Sequence, residues 1–385
     1  MCGAVSEVLT AGAGAAPAIK LSLAADHMRI ALVSTPFLAV PPRSYGGTEL
    51  VVHELAEGLV ERGHDVILFA TGDSATTAEL RALYAEAQWP PQMLTDLNHV
   101  SWAMQQIAAQ GGFDLIHAHS AMALACARLV PDVPVVYTLH HERDAQLSSF
   151  YAYCPHVHYV AISHDQRRRE IPLDHVDVIH HGLSPDKYEW RRKAAGDYVC
   201  FVGRFTRVKG PHTAIEVAAR AGVPIRVGGG VHPPDEAWFN AHLRDRLAAP
   251  HVQRLGVIGI EDKRPLLRDA RALLAPIEWN EPFGLILIEA MLSGCPVVAF
   301  GRGSVPELVE QGVTGFVARN ADEMVELIRP GGPVDAFDRQ RCRTRAVQRF
   351  SRGRMVAQHI ALYERVAGTM PLSVPGADHT ALLSA

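Results

Sequence analysis

Two acidic residues stand eight positions apart in the stretch EPFGLILIEA, Glu281 and Glu289, with only proline, glycine and apolar residues between them. The aliphatic run Leu285–Ile288 predicts burial, and a buried carboxylate costs several kcal/mol unless something pairs with it. Pro282 and Gly284 fit a tight loop that opens a helix, which stops at Gly294 with Pro296 just beyond. The first-turn amides of such a helix point at an anion. Glu281, just outside the helix start, would repel that anion. It therefore suits a neutral, hydroxyl-rich group, since an ionised carboxylate only accepts hydrogen bonds; the plainer alternative is a charge favoured by the helix N-terminus. Glu289 lies deeper on the same face, where either a ribose diol or a salt bridge to a nearby arginine would satisfy it.

Cations occur some seventy residues earlier, in FVGRFTRVKG: Arg204 and Lys209 follow a strand end, and Gly210 and Pro211 start the next helix. Two cations beside a helix N-terminus suit a phosphate or diphosphate, although taken alone they read more readily as solvated loop charges. In SYGGTEL, Gly46 and Gly47 precede a helix and permit close backbone approach to a ligand; an ordinary strand–helix turn is the alternative. FDLIHAHS carries His117 and His119, which strand alternation places on one face. His119 is nearer the strand's carboxyl end, and His117 reads as a structural histidine. The pairs in YTLHHERD and in Ile179–Gly182 raise the thought of zinc, which needs three converging ligands and an open position. His140, in the first of these, is as readily a surface histidine as a group facing the cleft.

These residues are positioned by a repeating pattern. Apolar runs MRIALVST, HDVILFAT, FDLIHAHS, VPVVYTLH and HYVAIS alternate with helical stretches such as TELVVHELAEGLVERG. The polar segment SPDKYEWRRKAAGD breaks the pattern, which resumes with DYVCFVGR, VPIRVGGG, HVQRLGVI, ARALLAPI and CPVVAFG. Alternating strands and helices predict parallel sheets, with ligands at the strands' carboxyl ends. At 385 residues the chain is too long for one ordinary core, and two α/β halves facing across a cleft account for it. A formal charge of −4 gives no reason to expect a nucleic-acid partner. The six cysteines form no CxxC and sit mostly in apolar runs, as in a reducing cytoplasm. No stretch is long and apolar enough to span a bilayer.

The combination of Glu281-x7-Glu289, GRFTRVKG upstream and GSVPELVEQGVTGFVA downstream closely resembles the family-four retaining glycosyltransferases of the GT-B fold, over roughly Met28 to Gly368. The resemblance implies two Rossmann-like domains: a flexible tail at 1–27, an acceptor domain at 28–183, a linker at 184–197, a donor domain at 198–345, a helix at 346–368 crossing back to the first domain, and a tail at 369–385. It implies that Arg204 and Lys209 hold the donor diphosphate and stabilise the leaving group, that Glu281 contacts the donor sugar, and that Glu289 binds the ribose. It assigns donor contacts to the amides of Phe283, Gly284 and Leu285 and to Gly46 and Gly47. His119 falls near the reacting centre and His140 on the acceptor side. The expected reaction moves a hexose from a nucleotide sugar, UDP-glucose first and GDP-mannose next, to a hydroxyl acceptor. No cofactor or essential metal is expected, since no Asp-x-Asp pair occurs; monomer or homodimer is left open. Relatives carry Ile-Pro-Asn-Gly where this chain has Ile179-His180-His181-Gly182. Glu307 receives no firm role beyond bracing a helix. An epimerase of the same architecture and a non-catalytic sugar-nucleotide-binding protein are the alternatives.

Overall fold

Runs rich in Val, Ile and Leu, too apolar for a sheet with one wet face, become central strands covered on both sides. The computed structural model describes residues 27–369; the tails expected at 1–27 and 369–385 lie almost wholly outside the described residues. The first sheet contains β1 (Arg29–Val33), β2 (Asp65–Phe69), β3 (Glu79–Arg81), β4 (Leu115–Ala118), β5 (Val135–Leu139), β6 (His158–Ala161) and β7 (Val176–Val178). The second contains β8 (Val199–Val202), β9 (Ile225–Gly228), β10 (Val252–Gly256), β11 (Leu273–Ala275), β12 (Val297–Phe300) and β13 (Gly315–Ala318). Their orders are β3-β2-β1-β4-β5-β6-β7 and β10-β9-β8-β11-β12-β13. Every strand pairing is parallel, as the alternation of strands and helices requires.

Alternate residues of each strand feed opposite cores. Ile30 and Leu32 pack with Leu55 and Leu59 of helix Gly47–Glu61, whereas Ala31 and Val33 pack with Met104 and Ile107 of helix Met93–Gln110. Strands β3, β7 and β13 are not apparent in the sequence. All three are sheet edges, and β3 and β7 are three residues long with no fully buried position.

The chain crosses between the halves twice, side by side: Leu183 bridges Ser351. Helix Arg339–Phe350 stays with the second half, burying Cys342, Ala346 and Phe350. The return crossing therefore falls at Ser351 and not at the sequence boundary of 346. Helix Arg352–Thr369 then packs on the first half through Met355, Val356, Ile360 and Tyr363. Buried Glu54 ties the crossings together, accepting from Ser184 Oγ at 2.5 Å and facing Lys187 Nζ at 3.5 Å and Arg352 Nε at 3.7 Å. Among the described residues no helix is long and apolar enough to cross a membrane.

Candidate active site

The carboxyl ends of the two sheets enclose a cleft of about 780 Å³, lined from both halves. On the second half, β8 runs out into Gly203 and Arg204, and a single turn, Arg207–Lys209, delivers Lys209 beside the segment after β11. The Lys209 ammonium pairs with the Glu281 carboxylate and lies 4.7 Å from the centre of the Trp279 ring. Trp279 Nε1 donates to the same Glu281 oxygen at 2.8 Å. Glu281 is therefore buried but satisfied, as a buried carboxylate must be. Arg204 lines the cleft close to Lys209 and Glu281, with the phenol of Tyr45 beside it.

Gly284 precedes helix Leu285–Leu292 at φ +85°, a backbone conformation that costs other residues roughly 1–2 kcal/mol. No side chain caps this helix, and its start faces the cleft together with Phe283 and Leu285. The downstream motif fixes the loop's shape: Ser304 Oγ donates to the Phe283 carbonyl at 2.8 Å, and Ser304 N to that of Glu281 at 2.9 Å. One turn into the helix, Glu289 is 2% exposed; its Oε1 accepts from Lys263 Nζ at 2.6 Å and from the Tyr188 hydroxyl at 3.2 Å. The salt bridge left open by the sequence thus exists, with a lysine in place of an arginine.

From the first half, Gly46 and Gly47 face the helix start, and a Cβ on Gly47 would lie 3.3 Å from Leu285 Cδ1. A Cβ on Gly46 would come within 2.7 Å of Pro42 Cβ and 2.8 Å of Leu38 Cδ1, so the loop closes this tightly only with glycine. The Glu49 carboxyl accepts from Thr35 Oγ1 at 2.6 Å, and burial pushes its pKa up.

The histidines form a stack. His140 and His181 line the cleft, their rings stacked at 5.6 Å, and His181 meets Phe283 edge-on at 4.9 Å. His119, expected nearest the cleft, lies one layer behind: it is 2% exposed, and its Nδ1 is 2.9 Å from His140 Nε2. Strand β4 ends at Ala118, and the His119 amide bonds Val33 O, which holds the ring under His140. His117 is wholly buried, 2.6 Å from the Tyr363 hydroxyl and 2.8 Å from Thr138 Oγ1. Burial, then neighbouring imidazoles, lower His119 to about 3 and hold His117, His140 and His181 well below the usual histidine value. This wall of the cleft is therefore polar but uncharged at neutral pH.

The halves meet at two further contacts that the sequence does not foretell. Asn280 Nδ2 donates to Glu142 Oε1 at 3.1 Å. Glu307 of the second half accepts from the backbone amides of His164 at 3.0 Å and Asp165 at 3.3 Å, and pairs with His180. It thereby caps helix His164–Arg169 of the first half. Burial opposes the charge on Glu307, but His180 and these amides hold its carboxyl below the usual value. Among the described residues, His164, His180 and Glu307 are also the one group of three metal-capable side chains within ligand spacing; His117, His119, His140 and His181 belong to the stack.

Sequence reasoning missed Lys263, Trp279 and Tyr188. Trp279 adjoins the EPFG loop and was within reach of it. Lys263 sits in IEDKRPLLRD, whose charged composition reads as a solvated helix face.

Comparison with known proteins covers both halves. The family model described as "Glycosyl transferases group 1" matches residues 186–329, and "Glycosyltransferase Family 4" matches residues 45–187. A glycogen synthase of Mycobacterium tuberculosis is 27% identical over 345 residues, spanning 75% of this chain and 81% of that protein. A D-inositol 3-phosphate glycosyltransferase of Mycolicibacterium paratuberculosis is 28% identical over 274 residues, 59% of this chain and 61% of that protein. The sucrose-phosphate synthase structure from Thermosynechococcus elongatus superposes with a TM-score of 0.75 at 19% identity, covering 89% of this chain and all of that one. Anabaena HepE, solved with UDP and glucose, gives 0.70 at 20% identity, covering 88% and 100%. At these identities the structures establish a shared GT-B fold.

Proposed function

Because the chain belongs to the group 1, family-four glycosyltransferases of the GT-B fold, we propose that it moves a hexose from a nucleotide diphosphate sugar to a hydroxyl acceptor, with retention and without an essential metal. The observation carrying this reading is the convergence of Arg204, Lys209, Glu281 and the uncapped helix start at Gly284 on one interdomain cleft. UDP-glucose is the first donor, because HepE binds UDP and glucose and sucrose-phosphate synthase shares the fold; GDP-mannose is the next.

The donor diphosphate lies against Arg204, Lys209 and the amides of Phe283, Gly284 and Leu285. Lys209 exchanges Glu281 for phosphate, which frees that carboxylate to accept from the sugar hydroxyls. Trp279 keeps hold of it and fixes its direction. As the bond from C1 to the phosphate oxygen breaks, charge grows on the leaving group, where Arg204 and Lys209 neutralise it. The acceptor oxygen bonds C1 on the same face, and its proton passes to the departing phosphate. The acceptor is held by the loops Pro36–Gly47 and His140–Tyr153, with the neutral His140 face beside it. Contacts between the halves, such as Asn280 with Glu142, close the cleft against water.

A thermal-shift screen against UDP, GDP, ADP and their sugars tests the reading, since a ligand bound only by the folded state raises Tm. One nucleotide and its sugar should stand out, and Arg204→Ala should abolish the shift. A protein that responds to none of them refutes it.

A further inference from the structure

Glu289 poses a problem for any ribose subsite. At 2% exposure it is among the most buried carboxylates of the chain, yet binding a diol requires an ionised, accepting oxygen. Burial alone drives a carboxylic acid toward its neutral form. The structure supplies an answer in Lys263. This residue lies in helix Ile260–Asp269, its side chain is 14% exposed, and it lines the cleft beside Glu289. Its ammonium reaches Glu289 Oε1 at 2.6 Å, and the Tyr188 hydroxyl reaches the same oxygen at 3.2 Å. Burial, then the Glu289 carboxylate, raise the Tyr188 pKa well above the ordinary value, so this group remains a donor. Both donors use one oxygen, and Oε2 receives neither.

We infer that Lys263 is a positioning residue of the nucleotide ribose subsite: bonded to Oε1 of Glu289, it fixes that side chain's rotamer, so that Oε2 accepts from the ribose diol. The inference rests on the nucleotide-sugar reading above. Glu289 itself meets Lys263 from helix Ile260–Asp269 and Tyr188 from the crossing segment, while Arg264 and Glu54 act on Tyr188. Arg264 stacks over the Tyr188 ring at 5.5 Å and points its charge there. Lys263 is thus the cation bonded to the carboxylate itself.

The probe is whichever of UDP, GDP or ADP binds the wild-type protein most tightly, compared with its 2′,3′-dideoxy form by calorimetry at pH 7. The wild type should prefer the ribonucleotide by about 10- to 100-fold, the range for hydrogen bonds to a charged group. Lys263→Met should cut that preference to within about threefold, because Glu289 loses the partner that holds its Oε1. A merely structural lysine would weaken both nucleotides alike and leave the preference unchanged. Should Lys263→Met fail to fold, Lys263→Gln, shorter and uncharged, must show the same loss of preference. A variant that retains the wild-type preference at pH 7 overturns the inference while leaving the nucleotide-sugar reading intact. A wild type that binds none of the three nucleotides overturns both.

Discussion

Lowering the pH from 7.5 to 5.5 should destabilise this protein through its buried histidines. His99, His119 and His359 are at most 3% exposed. Burial, the largest cause in each, lowers them to about 4, 3 and 4. A group whose pKa is depressed on folding from the ordinary 6.5 loses stability as pH falls below 6.5, because only the unfolded chain takes up the proton. At pH 5.5, one unit below the unfolded value, each ring costs about 1.4 kcal/mol, and three give about 4 kcal/mol. Asp96 acts the other way: burial raises it to about 6, so the folded state takes up its proton in the same window and regains about 0.8 kcal/mol. These four groups together give a net loss of about 3 kcal/mol, to which the depressed His117, His140 and His181 add, a large share of the 5–15 kcal/mol typical of folded domains. Urea titrations at the two pH values, analysed at constant m, measure it. His359→Gln should shrink the pH dependence by about 1.4 kcal/mol. A urea midpoint unmoved between pH 7.5 and 5.5 would refute the neutral histidine stack.

Three other outcomes are expected. Glu307→Ala removes the pair with His180 and the cap on helix His164–Arg169, and should cost about 1–3 kcal/mol; hydrogen exchange should quicken in that helix first, and unchanged protection there would count against the interdomain cap. Gly284→Ala forces a side chain into φ +85° and should destabilise by about 1–2 kcal/mol while weakening nucleotide binding, both readable by thermal shift with and without ligand. Lys209→Met should lower kcat by about 10²- to 10³-fold, the effect of losing one preorganised charge at a developing anion; a drop below threefold would remove Lys209 from the mechanism.

Much of the fold was legible because its central strands are short, continuously apolar and punctuated by glycine and proline. β1, β8 and β12 fall inside the runs MRIALVST, DYVCFVGR and CPVVAFG. The edge strands β3 and β7 were not, since each is three residues long with no fully buried position, whereas the edge strand β10 lay within the run HVQRLGVI. The helix start at Gly284 and its acids were legible for a local reason: a proline–glycine loop before an aliphatic run leaves few conformations. Depth was not. His119 and His140 each follow directly on the adjacent strands β4 and β5, and which one overlies the other depends on where each strand ends. Partner choice was equally hidden, because Lys263 and Glu289 are twenty-six positions apart and meet only when helix Ile260–Asp269 packs beside helix Leu285–Leu292.

The central claim is that Arg204, Lys209 and Glu281 form one site that breaks the bond between a hexose and a nucleotide diphosphate. Release of nucleoside diphosphate from the donor chosen by the thermal-shift screen, followed for the wild type and for Glu281→Gln, tests it most directly. The wild type should turn the donor over, and Glu281→Gln should still bind the free nucleoside diphosphate while losing at least about 10²-fold in kcat/KM, the scale of one lost transition-state contact. A Glu281→Gln enzyme with wild-type turnover would contradict the account.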